Sequence, residues 1–336
     1  MKMMKKLTSL LMVLLLLLPG LSLAEETEKD GWHFDEKGFL TGEDNPGEEY
    51  ILEDEDKGVW QYASKDLSIK INRFREQTKK KKKQEYCVAE IWTSPDSPLG
   101  VIQSAPKDSL KLKGVAYAGM EQRHVEDLIE KNPSVLAVSD DMYGLRIIPV
   151  GKGKTKYDYH GVIIRNGEVI ATKTRNSKKK RSWPNLDTMA VYQDGSMKTF
   201  DCDALTAEEY LEQGAVQVFA FGPWLLSEGQ VHPNLEKINN YSEPRVALGM
   251  IEPYHYILIV TAGRPTKKYQ GYKLTWLADK MLEYGCTEAL NLDGGGTACM
   301  VFNGKTIIQG RWSKEKRVLG SMIAFGPLEP AGEADE

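Results

Sequence analysis

The chain has 336 residues, 41% of them hydrophobic, and a formal net charge of −4. That length suits one large domain or two small ones, and a mildly acidic balance gives no general reason to expect a nucleic-acid partner. Cys87, Cys202, Cys286 and Cys299 are scattered with no C-x-x-C pair, so a zinc site lacks support, and both disulfides and free buried thiols stay open.

Lys2, Lys5 and Lys6 precede an apolar run from Leu7 to Leu18, and Ser22-Leu23-Ala24 follows it. A basic start, a short apolar core and a small-residue cleavage site make residues 1–24 a secretory signal peptide. The core is short for a span of about 20 residues, no cysteine follows it to carry a lipid, and no later run is long enough to cross a bilayer. The expectation is an exported protein, secreted or associated with the cell envelope, with no stable membrane span after cleavage. Removing the three lysines takes the net charge from −4 to −7.

Residues 25–45 are crowded with Asp and Glu and read as an acidic linker, broken by Trp32, Phe34 and Phe39. "EEYILEDEDKGVWQYA" reads as strand, turn at Lys57-Gly58 and strand, and "LSIKINRF" alternates as a third strand. Five lysines at 79–83 repel one another and belong on a solvated hairpin loop, as does "SKKKR" at 177–181. "EYCVAEIWT" is strand-like, "EQRHVEDLIEK" carries Val125, Leu128 and Ile129 at helical spacing, and "SVLAVS" is a short buried strand. "HGVIIRNGEVIAT" predicts a hairpin with an Asn-Gly turn. "TAEEYLEQG" predicts a helix capped by Thr206, with Glu209 in the capping box and Gly214 as its stop. "AVQVFAF" follows as a strand, and "ALGMIEPYHYILIVTAG" as two strands around a Glu-Pro turn. "LTWLADKMLEYG" predicts an amphipathic helix with Leu274, Leu277, Met281 and Leu282 on one face. Hairpins with interspersed helices point to an α+β architecture, a mixed, largely antiparallel sheet with packed helices. The pattern outlines a single catalytic-type domain over 46–327 and an acidic tail at 328–336.

The chemistry concentrates in "ALNLDGGGTACMV", residues 289–301. Asp293 ends an apolar strand, Gly294, Gly295 and Gly296 follow, and Thr297 opens the next apolar run. A glycine turn exposes several backbone N–H groups, and such concave runs of donors bind anions. Neither a dinucleotide fingerprint nor a P-loop is present, because no helix pattern and no Gly-Lys-Ser/Thr ending follows.

"GCTEALNLDGGGTACMVFNGK" resembles the signature of the phosphodiester glycosidase family. "FAFGPWLLSEGQ", with Gly222 in its Phe-Gly-Pro, "EPRVALGMI" at 243–251, "HYILIVTAGR" at 255–264, "SVLAVSDDMYG" and "HGVIIRNGEVI" resemble further segments of that family in the family's order. The resemblance covers about residues 86–326. Departures from the family pattern are Ser139 and Asp140 in place of Asn-Gly, Ala262 and Ser321 in place of Asp, and Ala298 in place of Ser. Asp141 and Arg317 keep theirs.

The resemblance implies a secreted hydrolase cleaving a sugar-1-phosphodiester in cell-envelope or extracellular polysaccharide. A non-catalytic glycan- or wall-binding protein on the same fold is the alternative. Arginine suits the anion, through the planar fork of Arg245 first and Arg264 second, with the backbone of Gly222, Gly294, Gly295 and Gly296 and the Thr297 hydroxyl completing the cradle. A carboxylate suits the sugar cation that develops, Asp293 first and Asp141 second. His255 and His160 read as ordinary sheet histidines. No cofactor is required by the sequence; calcium is compatible with an exported carboxylate-rich protein, though no EF-hand spacing is present. The expected partner is a sugar phosphodiester or anionic glycan, and not nucleic acid.

Overall fold

Apolar residues alternate with polar ones along much of the chain, and the backbone answers with strands. In Leu67–Gln77, Ile69 and Ile71 are buried while the alternating Lys70 and Asn72 face solvent, the period of two that a strand with one wet face requires. The computed structural model describes residues 27–103, 125–141, 146–149, 155–158, 161–173, 184–238, 240–263, 266, 268–310 and 319–326. The expected signal peptide, the tail at 328–336, the basic run at 177–181, His160, Arg264 and Arg317 lie outside them.

Three larger sheets carry the fold. A nine-stranded sheet runs, in spatial order, Gln230–Val231, Trp224–Ser227, Glu288–Leu292, Val246–Glu252, His255–Ala262, Lys83–Thr93, Leu67–Gln77, Val59–Ala63 and Tyr50–Asp54. A second sheet orders Lys305–Gln309, Cys299–Phe302, Leu136–Ser139, Ser321–Phe325 and Gly100–Gln103. A third orders Glu168–Lys173, Gly161–Arg165, Ala215–Ala220, Thr188–Tyr192 and Met197–Phe200. One core lies among them. Ile69, Ile91, Leu258 and Leu290 come from the first sheet, Val138, Met300, Phe302 and Phe325 from the second, and Met189, Val191 and Phe219 from the third.

Each sheet has one helix on its outer face. Helix α1 (Val125–Lys131) sets Leu128 and Ile129 against Ala137, Val301 and Met322 of the second sheet. Helix α2 (Ala207–Glu212) sets Ala207 and Tyr210 against Val162, Ile164 and Val218 of the third. Helix α3 (Leu274–Glu283) covers the first sheet with Leu274, Leu277, Ala278 and Met281. Leu282, expected on that face, is exposed.

The α+β expectation is therefore corrected. Among the described residues the protein is mostly β-sheet with three short helices, and its strand pairings are antiparallel rather than mixed. The reason is length. Helices of 7, 6 and 10 residues each shield a patch and cannot form a layer, so the principal core is sheet against sheet.

Local signals read from the chain are visible in detail. Asn166 and Gly167 take φ of 51° and 75°, the left-handed pair that a two-residue hairpin turn needs. The Thr206 hydroxyl accepts the Glu209 N–H at 3.2 Å while the Glu209 carboxylate accepts the Thr206 N–H at 2.7 Å. Within the acidic segment read as a linker, Thr27–Lys29 and Trp32–Phe34 pair as a ribbon, and the Trp32 and Phe34 rings set edge-on to Tyr50. All four cysteines are buried, and none is in a disulfide.

Candidate active site

Two sheets end at the same place. In the first, Leu292 pairs with Val246 and Val246 with Val260, so one residue further Asp293 stands beside Arg245 and Thr261. Thr261 N–H donates to the Arg245 carbonyl at 2.8 Å, and Arg245 N–H to the Thr261 hydroxyl at 2.8 Å. In the second sheet, Leu136–Ser139 runs out into Asp140 and Asp141, and Asp293 N–H donates to the Asp140 carbonyl at 3.0 Å. Asp293, Arg245, Asp140 and Asp141 are brought together by backbone geometry, and all four are buried.

The side chains are more committed than their positions suggest. Asp293 Oδ2 lies 2.6 Å from the Thr297 hydroxyl, which is also 2.6 Å from the Gly294 carbonyl. One hydroxyl proton serves one acceptor at a time, so Thr297 orients Asp293 or closes its own turn. Arg245 donates from Nη2 to the Tyr241 carbonyl at 2.7 Å and from Nε to the Tyr272 carbonyl at 3.5 Å. Asp141 Oδ1 accepts from Arg165, and its Oδ2 accepts the Ala220 N–H at 2.5 Å.

Arg165 is the residue that sequence reasoning missed. Its Nη1 donates to the carbonyls of Val218 at 2.7 Å and Ile164 at 3.1 Å, and its guanidinium lies 4.4 Å over the Phe219 ring. Its Nη2 pairs with Asp141 and stands 3.6 Å from Asp140 Oδ2, which accepts the Ser321 hydroxyl. One buried guanidinium thus faces two buried carboxylates. Burial lifts the Asp141 carboxyl to about 6, Arg165 pulling it down and the Asp140 charge pushing it up. In the sequence Arg165 sits directly before an Asn-Gly turn and reads as a solvated hairpin end, so no local signal marked it.

The glycines have structural reasons. A Cβ on Gly294 would lie 2.5 Å from the Pro244 carbonyl, so the neighbouring strand takes up that space. Gly295 has φ 65°, and its N–H donates to the Pro244 carbonyl at 2.8 Å. The expected anion cradle is to that extent filled by the protein's own backbone, and it is Gly296 and Thr297 that carry the turn back into the sheet. Gly222 has φ 74°, exchanges hydrogen bonds with Asn291, and a Cβ there would lie 2.9 Å from the Asp187 backbone nitrogen. It packs beside the strand of Asp293.

Asp187 is a second buried acid that the sequence did not mark. It accepts the Cys202 N–H and the Trp224 N–H, each at 3.2 Å, and the Asn185 amide at 2.5 Å. Burial lifts its carboxyl to about 6 against those donors. A carboxyl with a raised folded pKa binds its proton in the native state first, so stability falls as pH rises from about 4 to about 6. Asp187→Asn is expected to remove about 3 kcal/mol of that pH-dependent loss, read as urea midpoints across this window. An unchanged slope would show Asp187 titrating at its ordinary value.

His255 bonds Glu90 at 3.0 Å and stacks on Trp92 at 3.5 Å. It begins the strand that Thr261 and Ala262 end, about 20 Å from Asp293 at a strand's rise per residue. Among the described residues no three His, Cys, Asp or Glu side chains form a metal-holding group. The two adjacent acids are turned to Arg165 and Ser321.

Comparison with known proteins bears on this geometry. Over 152 residues the chain is 25% identical to the SPbeta prophage-derived uncharacterized protein YomE of Bacillus subtilis strain 168. That stretch is 42% of this chain and 23% of YomE, so the chain spans less than a quarter of this curated relative. The catalytic domain of zebrafish N-acetylglucosamine-1-phosphodiester alpha-N-acetylglucosaminidase, solved in a form auto-inhibited by its pro-peptide, has a similar fold. The TM-score is 0.55 at 17% identity, over 78% of this chain and 83% of that one. Residues 144–325, more than half of the chain and including Arg165, Arg245 and Asp293, match the phosphodiester glycosidase family, and the chain belongs to it.

Proposed function

We propose that the chain is a secreted hydrolase that cleaves the bond between a sugar C1 and a phosphodiester in cell-envelope or extracellular polysaccharide. The observation that carries this reading is Asp293, placed where two sheets end, with Thr297 on its carboxylate and Arg245 on the next strand. In such a substrate the leaving group is a phosphate monoester whose second pKa is about 6, so it departs without strong acid help. The demanding task is to stabilise positive charge on the sugar ring, and a carboxylate does this as nucleophile, as base for water or as electrostatic partner. Asp293 takes that role. Arg245 gives the diester anion a positive neighbour, with Arg264 as a second arginine and the backbone about Gly222 and Gly294 to Thr297 as the wall. Asp141, with its carboxyl near 6, holds the charge balance of the acid cluster around Arg165.

The test is release of free sugar from a panel of sugar-1-phosphodiesters, beginning with N-acetylglucosamine. Cleavage that depends on Asp293 supports the reading. Glycan binding without cleavage across the panel supports the second reading, a non-catalytic glycan-binding protein. That reading is favoured by an Arg245 guanidinium already donating to two carbonyls. Export is tested separately, by N-terminal sequencing of protein from the medium or envelope fraction. The expected first residue is Glu25, and an intact Met1 in the cytoplasm would overturn it.

A further inference from the structure

The lysines at 79–83 have no part in the site described above, yet the sheet brings them to the same end. Thr261, hydrogen-bonded to Arg245, pairs with Tyr86; Ala262 pairs with Glu85, Glu85 with Arg75, and Lys83 with Gln77. The hairpin that joins Leu67–Gln77 to Lys83–Thr93 therefore projects beyond the row of Asp293, three strands away. At a strand spacing of about 4.8 Å this is roughly 15 Å.

The turn is a built one. Thr78 N–H donates to the Lys82 carbonyl at 2.9 Å, Lys81 N–H to the Thr78 carbonyl at 2.8 Å, and Lys82 N–H to the Thr78 hydroxyl at 3.1 Å. Its base is docked to the segment after His255–Ala262, through Lys83 N–H to the Lys268 carbonyl at 2.8 Å and Gln270 N–H to the Lys83 carbonyl at 3.0 Å. Lys79, Lys80, Lys81 and Lys83 are exposed. Between hairpin and strand end lies a cleft of about 310 Å³ whose charged lining is balanced, Arg75 and Lys83 with Glu76 and Glu85, so the excess of positive charge sits on the turn. Over 75–85 six cations face two carboxylates, in a chain whose net charge is −4. Glu85 pairs with Arg75 at 3.4 Å, which sets one cation against one carboxylate and leaves five lysines beside Glu76.

Like charges held in register on a hydrogen-bonded turn form a focus of positive potential. We propose that this hairpin forms a distal subsite for a polyanionic glycan, one whose backbone repeats phosphodiesters, and that its lysines grip phosphates beyond the one at Asp293. The proposal rests on the function proposed above and narrows its substrate from a single diester to a polymer, because one sugar phosphate does not reach from Asp293 to the lysines.

The experiment compares the full chain with a Lys79→Ser/Lys80→Ser/Lys81→Ser variant and with the corresponding Lys→Arg variant. Probes are a labelled hexamer of N-acetylglucosamine-1-phosphodiester units, the monomeric diester, oligo(dT), and vesicles of equal phosphatidylglycerol and phosphatidylcholine. The expected result is a loss of hexamer affinity of about tenfold or more at low salt in the serine variant, retained by arginine, with a shallower salt dependence. Monomer binding and turnover and the melting temperature stay unchanged. Unchanged hexamer binding would overturn the subsite while leaving cleavage of the monomer, and so the proposed hydrolase, standing. Equal lysine-dependent binding of oligo(dT) or vesicles would also overturn it, as a general polyanion patch. Lysine-dependent hexamer binding without any cleavage would uphold the subsite and remove the hydrolase.

Discussion

Asp293→Asn is expected to lower kcat on a cleaved sugar-1-phosphodiester by about 10²- to 10⁴-fold, the range that a positioned acid–base group supplies. KM should change little. Asparagine keeps the shape, and its Oδ1 still accepts the Thr297 hydroxyl that now lies 2.6 Å from Asp293 Oδ2. The backbone N–H bond to Asp140 is untouched. Folding should therefore survive, and a melting curve checks that it does. What is lost is a negative charge facing a ring that becomes positive only on the way to the transition state, and a loss confined to that state appears in kcat and kcat/KM together. Arg245→Ala differs in kind. The diester is an anion in both states, so binding and turnover should fall together. If Asp293→Asn keeps near wild-type turnover, Asp293 only caps the glycine turn.

The strands of this protein are legible because each writes its own period. "LSIKINRF" and the Asn-Gly of "IIRNGEV" specify their local structure within a few residues, and Thr206 with Glu209 does so for a helix start. The fold class is not written at that range. Helices α1 to α3 show good 3.6-residue periodicity, but whether a helix makes a layer or caps a sheet depends on how much apolar surface the strands turn inward. That surface is distributed over residues as distant as Ile69, Val138 and Phe219. The site divides in the same way. Asp293 and its glycines stand out because a charge beside consecutive glycines is locally odd. Arg165 does not, because its partners Asp140 and Asp141 are 24 or 25 positions away and its burial comes from strand 215–220 packing over it. Gly294 was legible as special but not for its reason, since the atom that excludes a side chain belongs to Pro244.

Arg165→Met should carry the largest stability cost of any single change considered, about 3–5 kcal/mol, because it leaves a buried carboxylate pair without its cation. The methionine fits the apolar stem's path over Phe219, so packing alone does not explain such a loss. The sign of its pH dependence separates charge from shape. With Arg165 gone, only the Ala220 N–H is left to offset the burial of Asp141 and the push of the Asp140 charge, so the folded-state proton affinity of Asp141 rises further. A raised carboxyl pKa stabilises at low pH and costs stability as pH rises through it, so the deficit of the variant should be smallest near pH 4 and largest above pH 7. Adding Asp141→Asn to Arg165→Met should then recover part of the loss at neutral pH, although Asp141→Asn alone destabilises by stranding the guanidinium. Urea midpoints of the four proteins at both pH values form the cycle. A deficit equal at the two pH values, with no recovery in the double variant, would mean that Arg165 acts through its stem and its carbonyl contacts at Val218 and Ile164 rather than through the acids beside Asp293.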